Sequence, residues 1–293
     1  MIRVVLHVLL WCLAAFAAWA QPPVPLLWKV SDADNSVYLL GSMHMLTKDD
    51  YPLAPVVEAA FDDSSKLVFE VAPQGMDPAR VAPLMLQVGT RRDGKSLQQA
   101  LPPATWKALE AYAASRGMQS YALQQFKPWF VALMIISAES MRVGLDPAQG
   151  LDQHFMARAA AAGKATDGLE SAESQIALFD RLGPKAELEF LQETLADLPR
   201  FQAQMDELLQ AWRQADEATI ERIGLHELRR DYPALYQSIN VARNRAWLTL
   251  VQAMLRQPGP DNTLVVVGAM HLLGRDGLVQ QLRQRGLRVE RLR

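Results

Sequence analysis

Two short apolar runs, Val37-Tyr38-Leu39-Leu40 and Thr263-Leu264-Val265-Val266-Val267, each stop at a glycine. Continuous apolar runs of this length, bounded by turn residues, are the pattern of buried parallel strands. After the first run, the proline-bounded stretch Leu53 to Phe61 predicts a helix and Lys66 to Val71 a second strand. After the second run, Asp276 to Arg285 predicts a helix closed by Gly286, and Leu287 to Leu292 a last strand. Glycine just past a helical stretch is a stop signal. Strand, helix, strand is the unit of parallel sheets, so both ends of the chain are expected to carry a βαβ unit.

Between these ends the pattern is mainly helical. Thr105 to Arg116 is amphipathic and stops at Gly117, and Phe130 to Val143 is almost wholly apolar. The latter is shorter than the roughly 20 residues a spanning helix needs and reads as a buried helix. Lys164 to Asp167 predicts a short strand leading into Gly168-Leu169-Glu170. Pro184 to Gln257, rich in Glu, Leu, Gln, Ala and Arg, predicts several long helices broken near Pro199, Gly224 and Pro233. No low-complexity linker divides the chain. The expected fold is α/β, a mixed, largely parallel central sheet with a helical insertion over residues 97–257, in one domain over 21–293.

The first twenty residues have a different pattern. Arg3 precedes the apolar stretch Val4 to Ala18, and Ala18-Trp19-Ala20 fits a small-x-small cleavage site. This predicts a leader cleaved after Ala20, a periplasmic or secreted protein, and no stable membrane insertion once the leader is gone. Cys12 is the only cysteine and lies inside this segment. A chain without it forms no disulfide and uses no thiolate. The chain as a whole is half hydrophobic and about a fifth charged, ordinary for a globular protein. A net charge of −2 gives no reason to expect a nucleic-acid partner, and the basic ending Arg283 to Arg293 reads as the polar face of the last helix and strand.

The chemistry gathers where the apolar runs end. Both continue into Gly-x-Met-His, as Gly41-Ser42-Met43-His44 and Gly268-Ala269-Met270-His271. Glycine allows a sharp exit from a strand, and open α/β sheets bind ligands beyond the carboxyl ends of their strands. Two imidazoles meeting there would start a metal site, with Met43 and Met270 filling the core. Glu70 near the end of its strand is costly to bury without a cation or an arginine such as Arg243. Glu290 has the analogous place but is expected to be exposed. Glu170 precedes the helix-capping Ser171. Asp152 reads first as a helix cap and second as an acid that orients a histidine. Arg243-Asn244 lies in a helical pattern and offers a partner for carboxylates or substrate. His154 and His226 lack partners at ligand spacing. The string Gly89-Thr90-Arg91-Arg92-Asp93-Gly94-Lys95-Ser96 matches a phosphate-binding loop, but it follows a predicted helix and precedes Pro102-Pro103, so no nucleotide is expected. H-E-x-x-H, G-x-S-x-G and G-x-G-x-x-G are absent from the sequence.

Taken with Lys127-Pro128-Trp129, Gly150-Leu151-Asp152, Gly168-Leu169-Glu170 with Gln175, and Gly274 and Gly277, this ordered set resembles the TraB/PrgY/GumN family, its GumN-like branch most closely. That family includes the Tiki metalloproteases and is grouped with erythromycin esterases and ChaN-like haem-binding proteins. The resemblance implies two Gly-x-x-His elements converging on one site, which in the Tiki branch is a metal-dependent peptidase favouring manganese or cobalt. By position, His44 and His271 are the motif histidines and Glu70 the strand acid. Glu170, Asp152, Arg243 and Asn244 match recurrent polar positions.

The expected function is an exported metal-dependent hydrolase, a peptidase, acting on a peptide or small-molecule substrate. His44, His271 and Glu70 would hold divalent manganese, cobalt or zinc, which polarises a carbonyl and acidifies a bound water. Glu70 or Glu170 would take the proton, Arg243 would stabilise the oxyanion, and Asp152 and Asn244 would contact substrate. The alternatives are a non-enzymatic haem-, metal- or signal-binding protein and an esterase or lactonase that needs no metal.

Overall fold

Strands β1 (Leu27–Ser31), β2 (Ser36–Ser42), β3 (Ser64–Val71), β4 (Ala165–Glu170), β5 (Asn262–Gly268) and β6 (Arg288–Leu292) form one sheet in the order β4-β3-β5-β2-β1-β6. The computed structural model describes residues 22–293, so the leader expected over residues 1–20, with Cys12, lies outside the described residues. β5 pairs in parallel with both β2 and β3, and β3 in parallel with β4. β1 runs against β2 and β6, which makes the sheet mixed. The fold is α/β, as the pattern predicted. All seven residues of β2 are buried, as are Thr263 to Val267 of β5. A strand covered on both faces has no use for alternation, which explains the continuous apolar runs.

The main helices are α1 (Pro55–Asp62), α2 (Pro78–Gly89), α3 (Pro103–Ser115), α4 (Pro128–Arg142), α5 (Leu151–Ala162), α6 (Ala172–Asp180), α7 (Pro184–Asp197), α8 (Phe201–Arg213), α9 (Ala242–Leu255) and α10 (Leu278–Gln284). Proline opens α1, α2, α3, α4 and α7, where its fixed φ suits the first turn and its missing N–H costs nothing. Side chains of α3, α4 and α7 form a hydrophobic cluster apart from the sheet core, including Trp106, Leu109, Ile135 and Leu191. The break expected at Gly224 is a π-helical turn, Arg222–His226, and a second one, Gln237–Val241, runs directly into α9. Among the described residues no helix is long and apolar enough to cross a membrane.

Three expectations change. β1 was not expected, yet it pairs with both β2 and β6. The βαβ units are not pairs of neighbours: β5 lies between β2 and β3, and β2 and β1 lie between β5 and β6. The short strand expected within 97–257 is present as β4 and joins the sheet. Gly41 and Gly268 do not take left-handed backbone. A Cβ on Gly41 would lie 3.1 Å from Leu26 Cβ and 3.2 Å from Ala269 Cα, so close approach is what requires glycine there. The phosphate-loop string follows α2 and precedes only the short helix Leu97–Ala100, capped by Ser96, which is not P-loop geometry.

Candidate functional site

Because β2 and β5 are parallel neighbours, with Ser42 opposite Gly268, both Gly-x-Met-His segments leave the sheet side by side. β3 lies on the other side of β5 and brings Glu70 to the same edge, and β4 brings Glu170. Glu70 is fixed by three donors. Its Oε1 accepts from Gly268 N–H at 2.8 Å, and its Oε2 accepts from Arg243 Nη2 at 2.6 Å and Gln175 Nε2 at 3.0 Å. Burial works to raise its pKa, but the imidazoles of His271 and His44, the Arg243 charge and the Gly268 N–H hold it down at about 2. Glu170 Oε1 accepts from Arg243 Nε at 2.9 Å, from its Nη2, and from Gln175 Nε2 at 2.8 Å.

Arg243 comes from α9, just after the π-helical turn. Its Nη1 donates to Ile239 O at 3.1 Å and to His271 Nε2 at 2.9 Å. With the bonds to Glu70 and Glu170, all five of its N–H donors are committed. Its guanidinium also lies 4.5 Å from the Trp247 ring. Arg243 therefore holds carboxylates together and has no donor left for substrate, which corrects its expected contact with an oxyanion.

The tautomer of His271 follows from its partners. Arginine only donates, so Nε2 carries the lone pair, and Nδ1–H donates to Asn244 Oδ1 at 2.7 Å. Burial pushes this imidazole's pKa down to about 3, against the pull of Glu70 and with the help of Arg243. Asn244 is fully buried and cannot touch substrate, contrary to expectation. Its amide donates to Asn240 Oδ1 at 3.1 Å and Asp276 O at 2.9 Å, which aims its oxygen at His271.

His44 differs on every count. Its side chain is 62% exposed, and Nδ1 meets Asp152 Oδ1 at 3.1 Å. That oxygen also accepts from Ser42 Oγ at 3.0 Å. The cap of α5 is Gly150 rather than Asp152, so Asp152 takes the second of its two readings and orients a histidine. Gly150 is needed because a Cβ there would lie 2.3 Å from His44 O. Crowding around the ring opposes its charged form, but the bond and charge of Asp152, with Glu70, lift the pKa to about 9. Nε2 of His44 and Glu70 border one point: a Cβ placed on Gly268 would lie 3.7 Å from that nitrogen, 3.2 Å from Glu70 Oε1 and 3.5 Å from His271 Cδ2. A pocket of about 300 Å³ opens there, walled by Met76, Pro147 and Met156 beside Gln175, Ser42, His44, Glu70 and Asp152.

The fold thus brings together His44, Glu70, Asp152, Glu170, Arg243, Asn244 and His271. It leaves out Glu290, which is exposed. His154 stacks on Tyr51 with ring centroids 4.4 Å apart, and His226 lies 3.8 Å from Glu221. Met43 packs on the core, whereas Met270 is 40% exposed and lies over Gly224, so it does not fill the core as expected. Gln175, Ser42 and Asn240 were missed as site residues. The spacing of Asn240 and Asn244, one helical turn apart, puts both amides on one helix face and is the signal that could have found Asn240.

The family model of TraB/PrgY/gumN matches residues 26–291. The chain belongs to the TraB/PrgY/gumN family. It is similar to the uncharacterized protein YbaP of Escherichia coli (strain K12) and of Shigella flexneri. Each is 25% identical over 247 residues, covering 84% of this chain and 87% of YbaP. No solved structure matches.

The metal ion implied by the resemblance does not fit this arrangement. His271 Nε2 already accepts from Arg243 Nη1 at 2.9 Å. An ion bound near 2 Å along that nitrogen's lone pair would collide with Nη1, and its charge would face a guanidinium that keeps its proton. Among the described residues no group of three His, Cys, Asp or Glu is spaced to hold a metal ion.

Proposed function

We propose that the pocket is the active site of a hydrolase that cleaves an acyl bond, peptide or ester, with His44 and Glu70 as its acid and base. The observation that carries this reading is the placement of His44 Nε2 and Glu70 Oε1 around one point above Gly268. Neighbouring groups pushed to opposite charge states are the mark of an acid–base pair. His44, charged at neutral pH, donates to the carbonyl oxygen and then gives its proton to the leaving group. Glu70 accepts a proton from the attacking water. A carboxylate held at about pKa 2 is a weak base, so the reaction depends on the carbonyl being polarised by His44. Asp152 orients His44, while Arg243, Glu170 and Gln175 keep Glu70 ionised and in place.

The test is an assay of the purified full chain on peptide and ester panels, with and without chelator and with added manganese, cobalt or zinc. The expected result is cleavage that survives chelation and falls by about 10²-fold or more in His44→Ala and in Glu70→Gln. Cleavage that requires added metal would mean that Arg243 leaves the site to admit an ion. Tight uptake of metal or haem without turnover would replace the hydrolase by a binding protein.

A further inference from the structure

A second cavity, of about 840 Å³, shares no residue with the His44 pocket. It lies where the loop after α2 meets the first turns of α4 and α7. Arg91, Arg92, Lys95, Lys127 and Lys185 line it, opposed by Asp93 and Glu187. The whole chain carries a net charge of −2, so this concentration of cations is local and does not reflect overall composition.

The cavity wall is braced. Arg91 N–H donates to Gln125 O, Leu97 N–H to Gln124 O and Lys127 N–H to Gly89 O, each at 2.8 Å. Within the loop, Arg91 pairs with Asp93 and donates from Nε to Lys95 O at 3.1 Å. Asp93 is thereby used up inside the loop, and Lys127 pairs with Asp180. Arg92 and Lys95 have no ion-pair partner among the described residues, and Lys185 reaches Glu189 only at 3.7 Å. Both α4 and α7 begin at this cavity with proline and with no side-chain cap, so backbone N–H groups of their first turns add positive potential.

We propose that this cavity binds a small phosphate-bearing ligand at a site separate from the catalytic pocket. Arginine and lysine converging with uncapped helix starts make a site for compact, multiply charged anions. The net negative charge of the chain disfavours a long polyanion. Because the wall is held by backbone bonds, little ordering is needed on binding. The loop that fails as a nucleotide P-loop contributes here through its side chains.

The experiment is calorimetric titration of the full chain with pyrophosphate at low ionic strength, paired with flotation on vesicles containing phosphatidic acid. Saturable one-site pyrophosphate binding is expected. It should weaken about tenfold or more in the exposed-loop variant Arg92→Glu/Lys95→Glu and less than about twofold in Arg283→Glu on the remote α10. Vesicle binding lost in the same loop variant, without pyrophosphate binding, supports the site with a lipid headgroup as the source of phosphate. Circular dichroism checks folding, and Lys185→Glu alone repeats the measurement if the double variant fails to fold. No binding of either probe, or equal loss in Arg283→Glu, overturns the proposal.

Discussion

Replacing Glu70 by glutamine reverses sign depending on what the carboxylates at this edge are gathered for. Glutamine keeps the size of the side chain and an oxygen for the Gly268 N–H, and it mimics the protonated acid. The carboxyl's pKa falls from an ordinary 4.5 to about 2 in the folded chain. At ~1.4 kcal/mol per unit, the ionised form contributes on the order of 3 kcal/mol. Breaking one arm of a buried ion pair typically costs about 3–5 kcal/mol, and Glu170 remains to hold Arg243, so the lower figure is the better expectation. Because the folded-state pKa lies below the unfolded one, this stability is present above about pH 4.5 and is lost as pH falls through about 2. Urea unfolding followed by tryptophan fluorescence at pH 7 should show Glu70→Gln less stable by about 3 kcal/mol. The gap to wild type should narrow at pH 3. A variant that equals or exceeds wild-type stability would refute the argument. That is the behaviour of carboxylates repelling one another around a place meant for a bound cation, and it would show that Arg243 is not their counter-charge.

Other substitutions probe the same construction. Glu139 is buried and accepts from Arg116 Nε and Arg142 Nε, each at 2.7 Å, and from Tyr112 OH at 3.1 Å. Glu139→Ala should cost about 2–3 kcal/mol in chemical denaturation, below the fully buried range because both arginines are partly solvated. Gly268→Ala places a methyl 3.2 Å from Glu70 Oε1 and 3.7 Å from His44 Nε2. It should cost less than about 1.5 kcal/mol in stability while removing turnover in the hydrolysis assay. Gly150→Ala forces a Cβ to within 2.3 Å of His44 O. It should lower the melting temperature by several degrees, the equivalent of about 1–3 kcal/mol, and weaken the His44–Asp152 contact, read as an altered imidazole resonance.

The buried strands were legible because β2 and β5 are covered on both faces and so are apolar throughout. β1 was not, because Leu27-Trp28-Lys29-Val30-Ser31 is short and half-polar. The signal that marks it is the turn Asp32-Ala33-Asp34-Asn35 between two β-rich runs, the punctuation of a hairpin. Strand order was not legible, since no local pattern says that the strand near residue 265 enters between those near 39 and 68. The site residues were legible as types in matching places at strand ends. Their roles were not, because these depend on partners. Arg243 loses its expected role only when its five hydrogen bonds are counted, and Asn244 only when its burial beneath His271 is known.

The late strand β5 occupies the middle of the sheet. Every earlier strand of the pocket waits for it: until residue 268 has been synthesised, the edges of β2 and β3 that face β5 have no partner, and His44 and Glu70 belong to separate pairs of strands, β1 with β2 and β3 with β4. Chains ending before residue 262 should therefore be inert as well as unstable, and pairings across more than two hundred residues should make folding slow. The pocket is therefore assembled last, when β5 closes the gap between two halves of the sheet.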